Sequence, residues 1–196
     1  MANDDFARGL VPLNTNGNGT VQGHLYQAST VTDIAIGMLV VLTNGRVSRG
    51  AGTGLAPQLG VAGGFQRAKG ASNELAPWLD VSGLTSDDWY VFVWDDPSQE
   101  FYIQEDTGGT ALTATAPGAY TAAVVFQATS IDTNSGIARV ELDASTALPG
   151  TDHTLHILRL HDYVNGDGTQ NAVGDYAKWV VQIAHHQKGN VNDRVA

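Results

Sequence analysis

The chain has 196 residues and sets 10 Lys plus Arg against 20 Asp plus Glu, a formal net charge of −10. So few cations, spread along the chain, cannot form the concentrated basic surface that gripping phosphates requires, which argues against nucleic acid as a partner. With no cysteine, disulfides, zinc–thiolate centres and cysteine nucleophiles are excluded, and charged residues at 15% leave an uncharged polar skin of Gly, Ser, Thr, Asn and Ala.

Residues 1–20 read as an extended N-terminal arm: Asn14 to Gly19 is turn and coil chemistry with little to bury. Alone in water such an arm is expected to be disordered. The remainder, 21–196, reads as a β-rich domain that could divide near 69–72, and a chain of this length buries about 70% of its unfolded surface without staples. The start carries Asp4 and Asp5 rather than a basic leader segment. Ile34 to Leu42, the longest run of apolar residues and glycine, has nine residues, far below the roughly 20 of a spanning helix. No membrane partner is expected, and residence in the cytosol, or in something assembled there, is the simplest reading.

Met38 to Thr43, Asn44-Gly45 and Arg46 to Arg49 predict a hairpin, because both central turn positions want positive φ. Gly60 to Phe65 predicts a short strand whose tandem Gly63-Gly64 marks a bulge or a close backbone approach. Trp89 to Trp94, the turn formers Asp95-Asp96-Pro97-Ser98, and Glu100 to Gln104 predict a second hairpin. Its first strand is aromatic on both faces, hence sandwiched inside the domain or against a partner. Thr107 to Ala123 is Gly, Thr and Ala with one Pro, a long loop or weak strand, and Ala119 to Gln127 could form a short helix. Ile137 to Leu142, Thr154 to Leu160 and Tyr176 to Ala184 have the length and β-branched content of strands, the last with Trp179, Val181 and Ile183 on one face. The class is therefore mainly β: a β-sandwich or β-barrel of about eight strands, with at most one or two short helices.

Each candidate for chemistry has a plainer reading beside it. His153, His156, His161, His185 and His186 invite a metal, but an odd separation along a strand sends His153 and His156 to opposite faces, which favours separate histidines. Asn165 to Asn171 alternates oxygens like a calcium loop yet lacks the closing Glu, Tyr176 standing at the twelfth position; a polar hairpin loop fits better. Gly50 to Gly54 imitates a phosphate loop, but Leu55 replaces the third glycine and no helical pattern follows. Asn18-Gly19-Thr20 matches a glycosylation pattern without a secretory signal to give it weight. The acid pairs Asp87-Asp88 and Asp95-Asp96 diverge rather than face each other as glycosidase carboxyls do, and no Gly-x-Ser-x-Gly elbow is present. Catalysis, a cofactor and a metal are therefore not expected.

The order of segments resembles the capsid decoration, or cement, proteins of tailed bacteriophages. The likeness is carried by Met-Ala-Asn-(acidic)-Phe-Ala-Arg-Gly-Leu-Val-Pro-Leu at the start, Val93-Trp94-Asp95-Asp96-Pro97 with Phe101 to Gln104, and Val140-Glu141-Leu142-Asp143. It continues through His156-Ile157-Leu158-Arg159-Leu160 and Ala177 to Ile183, ending in His185-His186-Gln187. The stretches around Gly50 to Gly54 and Thr107 to Ala123 do not align. The resemblance implies a mainly β virion protein on the outer capsid surface, made in the host cytoplasm, that bridges neighbouring major capsid protein subunits. It also implies a homo-oligomer, with a trimer favoured. In that role Phe6, Leu10, Val11 and Leu13 would be the arm's apolar anchors on a partner and Arg8 an ion-pair partner; a staple packed on the chain's own domain is the other reading of the same residues. A carbohydrate-binding or receptor-adhesion module using Trp78, Trp89 and Trp94 is a competing function, and a hydrolase a third.

Overall fold

The computed structural model describes residues 3, 5, 7–13, 23–29, 33–51, 56–67, 75–76, 78–79, 89–107, 111–121, 124–131, 138–146 and 153–189. Among them the protein is mainly β, with a single 3-10 turn at Ala144–Thr146. The first sheet has five antiparallel strands in the order β1 (Val11–Pro12), β10 (Glu100–Gln104), β15 (Lys178–Ile183), β14 (Leu155–Leu160) and β11 (Tyr120–Thr121). The second runs β2 (His24–Gln27), β9 (Trp89–Trp94), β6 (Gly60–Arg67), β4 (Leu39–Thr43) and β5 (Arg46–Arg49), with β7 (Leu75–Ala76) also on β6. Two small pairs complete the set: β3 (Ile34–Ala35) with β8 (Trp78–Leu79), and β12 (Val124–Ile131) with β13 (Ala138–Leu142).

The arrangement is sandwich-like, and alternation along the strands explains it. In β10, β14 and β15 the core face carries Phe101, Ile103, Leu155, Ile157, Trp179, Val181 and Ile183. These pack with Leu39 and Val61 of the second sheet and Val140 and Leu142 of β13 in one cluster. A second cluster lies on the other face of the second sheet and contains Val40, Val47, Ala62, Phe65, Val91 and Val93. This sheet curls around it until its edges meet, where Ala28 bridges Val47 and the Ser29 N–H donates to Val47 O at 2.7 Å. Strand β9 thus serves both clusters, Val91 and Val93 in the second and Trp94 leaning on the first, as its two apolar faces predict.

The first predicted hairpin forms, with Asn44 and Gly45 at φ 52° and 77° in its turn. The strand Gly60–Arg67 bulges at Gly63, where the register to β9 slips between Ala62 and Gly64. The second predicted hairpin does not form. β9 pairs with β2 and β6, whereas β10 pairs with β1 and β15, so Asp95–Gln99 carries the chain from one sheet to the other. The turn chemistry is real, with Ser98 N–H donating to Asp96 Oδ1 at 2.8 Å and Gln99 N–H to Asp96 O at 3.0 Å. Each strand, however, has a distant partner on both edges, which satisfies more backbone groups than pairing with each other would. The short helix considered at Ala119 to Gln127 is also absent: Tyr120–Thr121 and Val124–Ile131 are strands, as their β-branched content favours. The division considered near 69–72 lies outside the described residues.

The arm belongs to the first sheet. Asn3 Nδ2 donates to Ala172 O at 2.8 Å and to Asp175 O at 3.0 Å, and its Oδ1 accepts the Ala172 N–H at 3.1 Å. Leu10 is buried in the first cluster, its N–H bonding Gly37 O at 2.9 Å. Gly9 and Gly37, at φ 69° and 89°, permit that crossing, because a Cβ on either would come within 2.6 Å of the other segment's backbone. Leu10→Ala is expected to cost about 3 kcal/mol, the transfer and cavity terms of a buried leucine. Denaturant unfolding measures it, and a cost below about 1 kcal/mol would show that the arm adds nothing to the core.

Candidate functional site

The densest polar cluster among the described residues surrounds Asp95, at the crossover between the sheets. Its side chain is 2% exposed, and three donors converge on it from distant parts of the chain. His24 Nδ1 lies 2.8 Å from Oδ1, while Tyr26 OH and Lys188 Nζ both donate to Oδ2. Burial alone would push the Asp95 carboxyl up, but the bonds from Lys188, Tyr26 and His24 reverse this and hold it below the usual carboxylate range. Burial and the Asp95 carboxylate raise Tyr26, and bonds to Asp95 and Tyr26 raise Lys188 against the opposing effect of burial. At neutral pH the cluster therefore holds a carboxylate, a phenol and an ammonium, each fixed in its resting charge state. That chemistry ties segments together and activates no nucleophile.

What it ties is a C-terminal strap. Leaving β15, the chain runs along the open end of the second sheet: Gln58 N–H donates to His185 O at 2.9 Å, and Gln187 N–H to Gln58 O at 2.8 Å. The Gln187 carboxamide takes the Leu42 N–H at 2.8 Å and donates to Leu42 O at 3.1 Å, acting as a missing strand partner. His186, in the middle of this strap, is buried, which pushes its imidazole down to about 4 and keeps it neutral at physiological pH.

Two surfaces carry aromatic groups. On the outside of the second sheet an open depression of about 290 Å³ is lined by Leu25, Gly63, Gly64, Phe65, Gln66 and Phe92. Phe92 stacks edge-on against Trp94 with centroids 4.4 Å apart. The glycines make room for the two rings, since a Cβ at Gly23 would stand 2.6 Å from Phe92 Cζ and one at Gly63 2.5 Å from Trp94 Nε1. Leu25, 52% exposed, leaves the depression with an apolar rim. On the outer face of the first sheet Tyr102 stacks on His161 with centroids 4.8 Å apart, and Lys178 Nζ lies 4.8 Å from the centre of Tyr163. Lys178 is itself buried there, so this group is a closed lid on the sheet.

The arm residues proposed as partner anchors separate. Leu10 is part of the chain's own core, which removes it as a partner anchor and matches the alternative reading of a staple on its own domain. Val11 and Leu13 are half-buried along β10, with Leu13 N–H donating to Glu100 O at 2.9 Å. Arg8 is exposed, and Phe6 lies outside the described residues. So do the pattern Asn18-Gly19-Thr20, the pair Asp87-Asp88, most of Gly50 to Gly54 and the side chain of Trp78. The oxygen-rich run Asn165 to Asn171 is a hairpin loop closed by the Val164–Gln170 bridge, with Asp167 Oδ1 accepting the Thr169 N–H at 2.9 Å. His156 and His161 lie on the outer face of the first sheet and His186 in the strap, and no three His, Asp or Glu among the described residues are grouped to hold a metal.

No protein-family model matches the chain, and neither a curated protein nor a solved structure matches it.

The Asp95 tie has a definite pH signature. A lowered carboxyl contributes stability above its ordinary value of 3.8, lost as pH falls through the folded value; a raised ammonium contributes below 10.5, lost as pH rises through its own. Asp95→Ala is expected to cost roughly 2 kcal/mol after allowing for the solvent screening of Lys188. It should also make trypsin cut after Lys188 faster than in the parent chain. Unchanged cleavage in a timed digest read by mass spectrometry would show that Asp95 does not hold the strap.

Proposed function

We propose that the chain is a virion structural protein that decorates the outer capsid surface of a tailed bacteriophage and stabilises the head by bridging neighbouring major capsid protein subunits. It acts there as a homo-oligomer, a trimer being favoured, without catalysis or cofactor. The observation that supports this best is where the segments of the resemblance lie. The arm, Phe101 to Gln104, His156 to Leu160 and Ala177 to Ile183 are strands or ties of the first sheet, and Val140 to Asp143 covers its core. Val93 to Pro97 and His185 to Gln187 form the crossover and the strap. Segments scattered along the whole chain thus build one folded unit, as a decoration protein of this kind would need.

The physical role follows from such a body. Packed DNA pushes a shell outward, and a clamp that contacts two subunits resists their separation with buried area and with the avidity of two linked contacts. A surface poor in charge lowers the desolvation cost of lying against another protein. Within this reading the depression at Leu25 and Phe92 is the contact with the shell, an apolar patch with few charges to desolvate. The carbohydrate-binding alternative has less support: Trp89 and Trp94 are half-buried and lean on the two core clusters, which leaves each less ring surface for a sugar.

The experiment adds the full-length chain to expanded phage heads that lack it and follows co-sedimentation. Deleting the arm would be a poor test, because Leu10 is part of the core. Leu25→Asp, at an exposed position, should leave the fold intact and weaken binding roughly tenfold or more, the loss of an interface anchor. Saturable binding that this substitution weakens supports the proposal. Failure to bind heads, with capture on a glycan array instead, overturns it.

A further inference from the structure

Glu105 is fully buried at the end of β10, on the face that holds the core, and the tie at Asp95 does not involve it. Its backbone is anchored on both sides: its N–H donates to Ala177 O at 2.8 Å, and the residue bridges Leu142. The carboxylate accepts two bonds of different character. Oε2 takes the indole N–H of Trp179, the largest fully buried side chain, and Oε1 takes the Leu112 N–H at 3.1 Å. Leu112 begins the loop 111–119, whose Leu112 and Ala116 are buried in the first cluster while residues 113–115 are exposed. The loop closes on itself through Ala116 N–H to Thr113 O at 2.9 Å and reaches β14 through Gly118 N–H to Ile157 O at 2.9 Å.

Among the described residues the charged groups around Glu105 offer it no counter-ion. Asp106, next in the chain, and Asp175, ahead of β15, both act on it as like charges. From β13, Glu141 turns to the Gln104 carboxamide at 2.7 Å and Asp143 to the Ser145 hydroxyl. Lys178 pairs with Gln104 while Trp179 pairs with Ile103, which places the ammonium on the opposite face of the sheet.

We propose that Glu105 is a proton-operated tie between the core and the loop 111–119, its gain or loss of one proton setting how firmly the Leu112 amide is held. When ionised, each carboxylate oxygen accepts one N–H. On protonation one oxygen becomes a donor and a much weaker acceptor, so one of the two incoming N–H groups is held less firmly. Trp179 is locked by packing on every side, so the loop amide is the one that yields. Burial, aided by Asp106 and Asp175, pushes the Glu105 carboxyl up to about 7, against the pull of its two donors. The exchange therefore falls in the neutral range. For a raised carboxyl the folded chain binds the extra proton between 4.5 and about 7, so the contribution of Glu105 to stability falls as pH rises through that window, while buried His186, pushed down to about 4, contributes with the opposite sign. At Glu105 itself the two effects run in opposite directions: taking up the proton favours the folded chain while slackening the loop. This inference rests on the buried geometry and is independent of the role proposed on the shell.

The test is NMR on the folded full-length chain between about pH 5.5 and 8.5, spanning the expected midpoint. The Glu105 carboxyl carbon should titrate near neutrality, and the Trp179 indole proton should follow with the same midpoint. Exchange protection of the Leu112 amide, corrected for intrinsic rate, should fall roughly tenfold on the acid side, the effect of one hydrogen bond. In Glu105→Gln the indole shift and the Leu112 protection should become independent of pH. A carboxyl carbon that does not titrate in this range overturns the proposal without recourse to any variant. So does Leu112 protection that stays constant while the carboxyl titrates.

Discussion

The fold turns on one buried carboxylate at the point where the chain leaves one sheet for the other. Asp95 ends the second sheet and, five residues later, Glu100 opens the first. A charge in that position is tolerable only if its oxygens are satisfied. Tyr26 and His24 satisfy them from the neighbouring strand of the second sheet, and Lys188 does so from the segment beyond the first sheet's central strand. The same three bonds therefore neutralise the crossover and fasten the strap across the end of the second sheet. The Gln187 carboxamide completes the fastening at Leu42, where β6 has turned away and the backbone groups of β4 would otherwise lack partners.

Local patterns in the sequence read well wherever the physics is local. Asn44-Gly45 forms its turn because two successive residues must take positive φ, and few pairs do so cheaply. Gly63 marks its bulge, and Trp179, Val181 and Ile183 share the core face that alternation assigns them. Pairing between distant strands is less legible. Trp89 to Trp94 and Glu100 to Gln104 have every local feature of a hairpin, and their separation into two sheets depends on partners as remote as β1 and β15. The Asp95 cluster was invisible for the same reason. His24, Tyr26 and Lys188 stand 71, 69 and 93 residues away, and no spacing rule spans such distances. In sequence Asp95 reads only as a turn residue.

Glu105 shows a related limit. Nothing in Gln104-Glu105-Asp106 distinguishes a buried acid from a pair of surface charges following a strand. Its character comes from Trp179 and Leu112, which the sheet order brings to it. The arm is an intermediate case. Its polarity suggests a segment that needs something to hold it, and the structure supplies that hold from the chain's own first sheet, through Asn3, Leu10 and the pairing of Val11–Pro12 with β10.

The position of β15 bears on how the molecule comes into being. It is the middle strand of the first sheet, flanked by β10 and β14, yet it is made after both. While the ribosome is still adding residues 161–177, β10 and β14 have no common neighbour and each presents an unpaired strand edge. Sheet completion waits for Lys178–Ile183 to emerge, and pairings across so many residues close slowly. Half-made chains at high expression should therefore be the aggregation-prone species, and slowing translation early in the message should not rescue them as well as lowering the number of chains made at once.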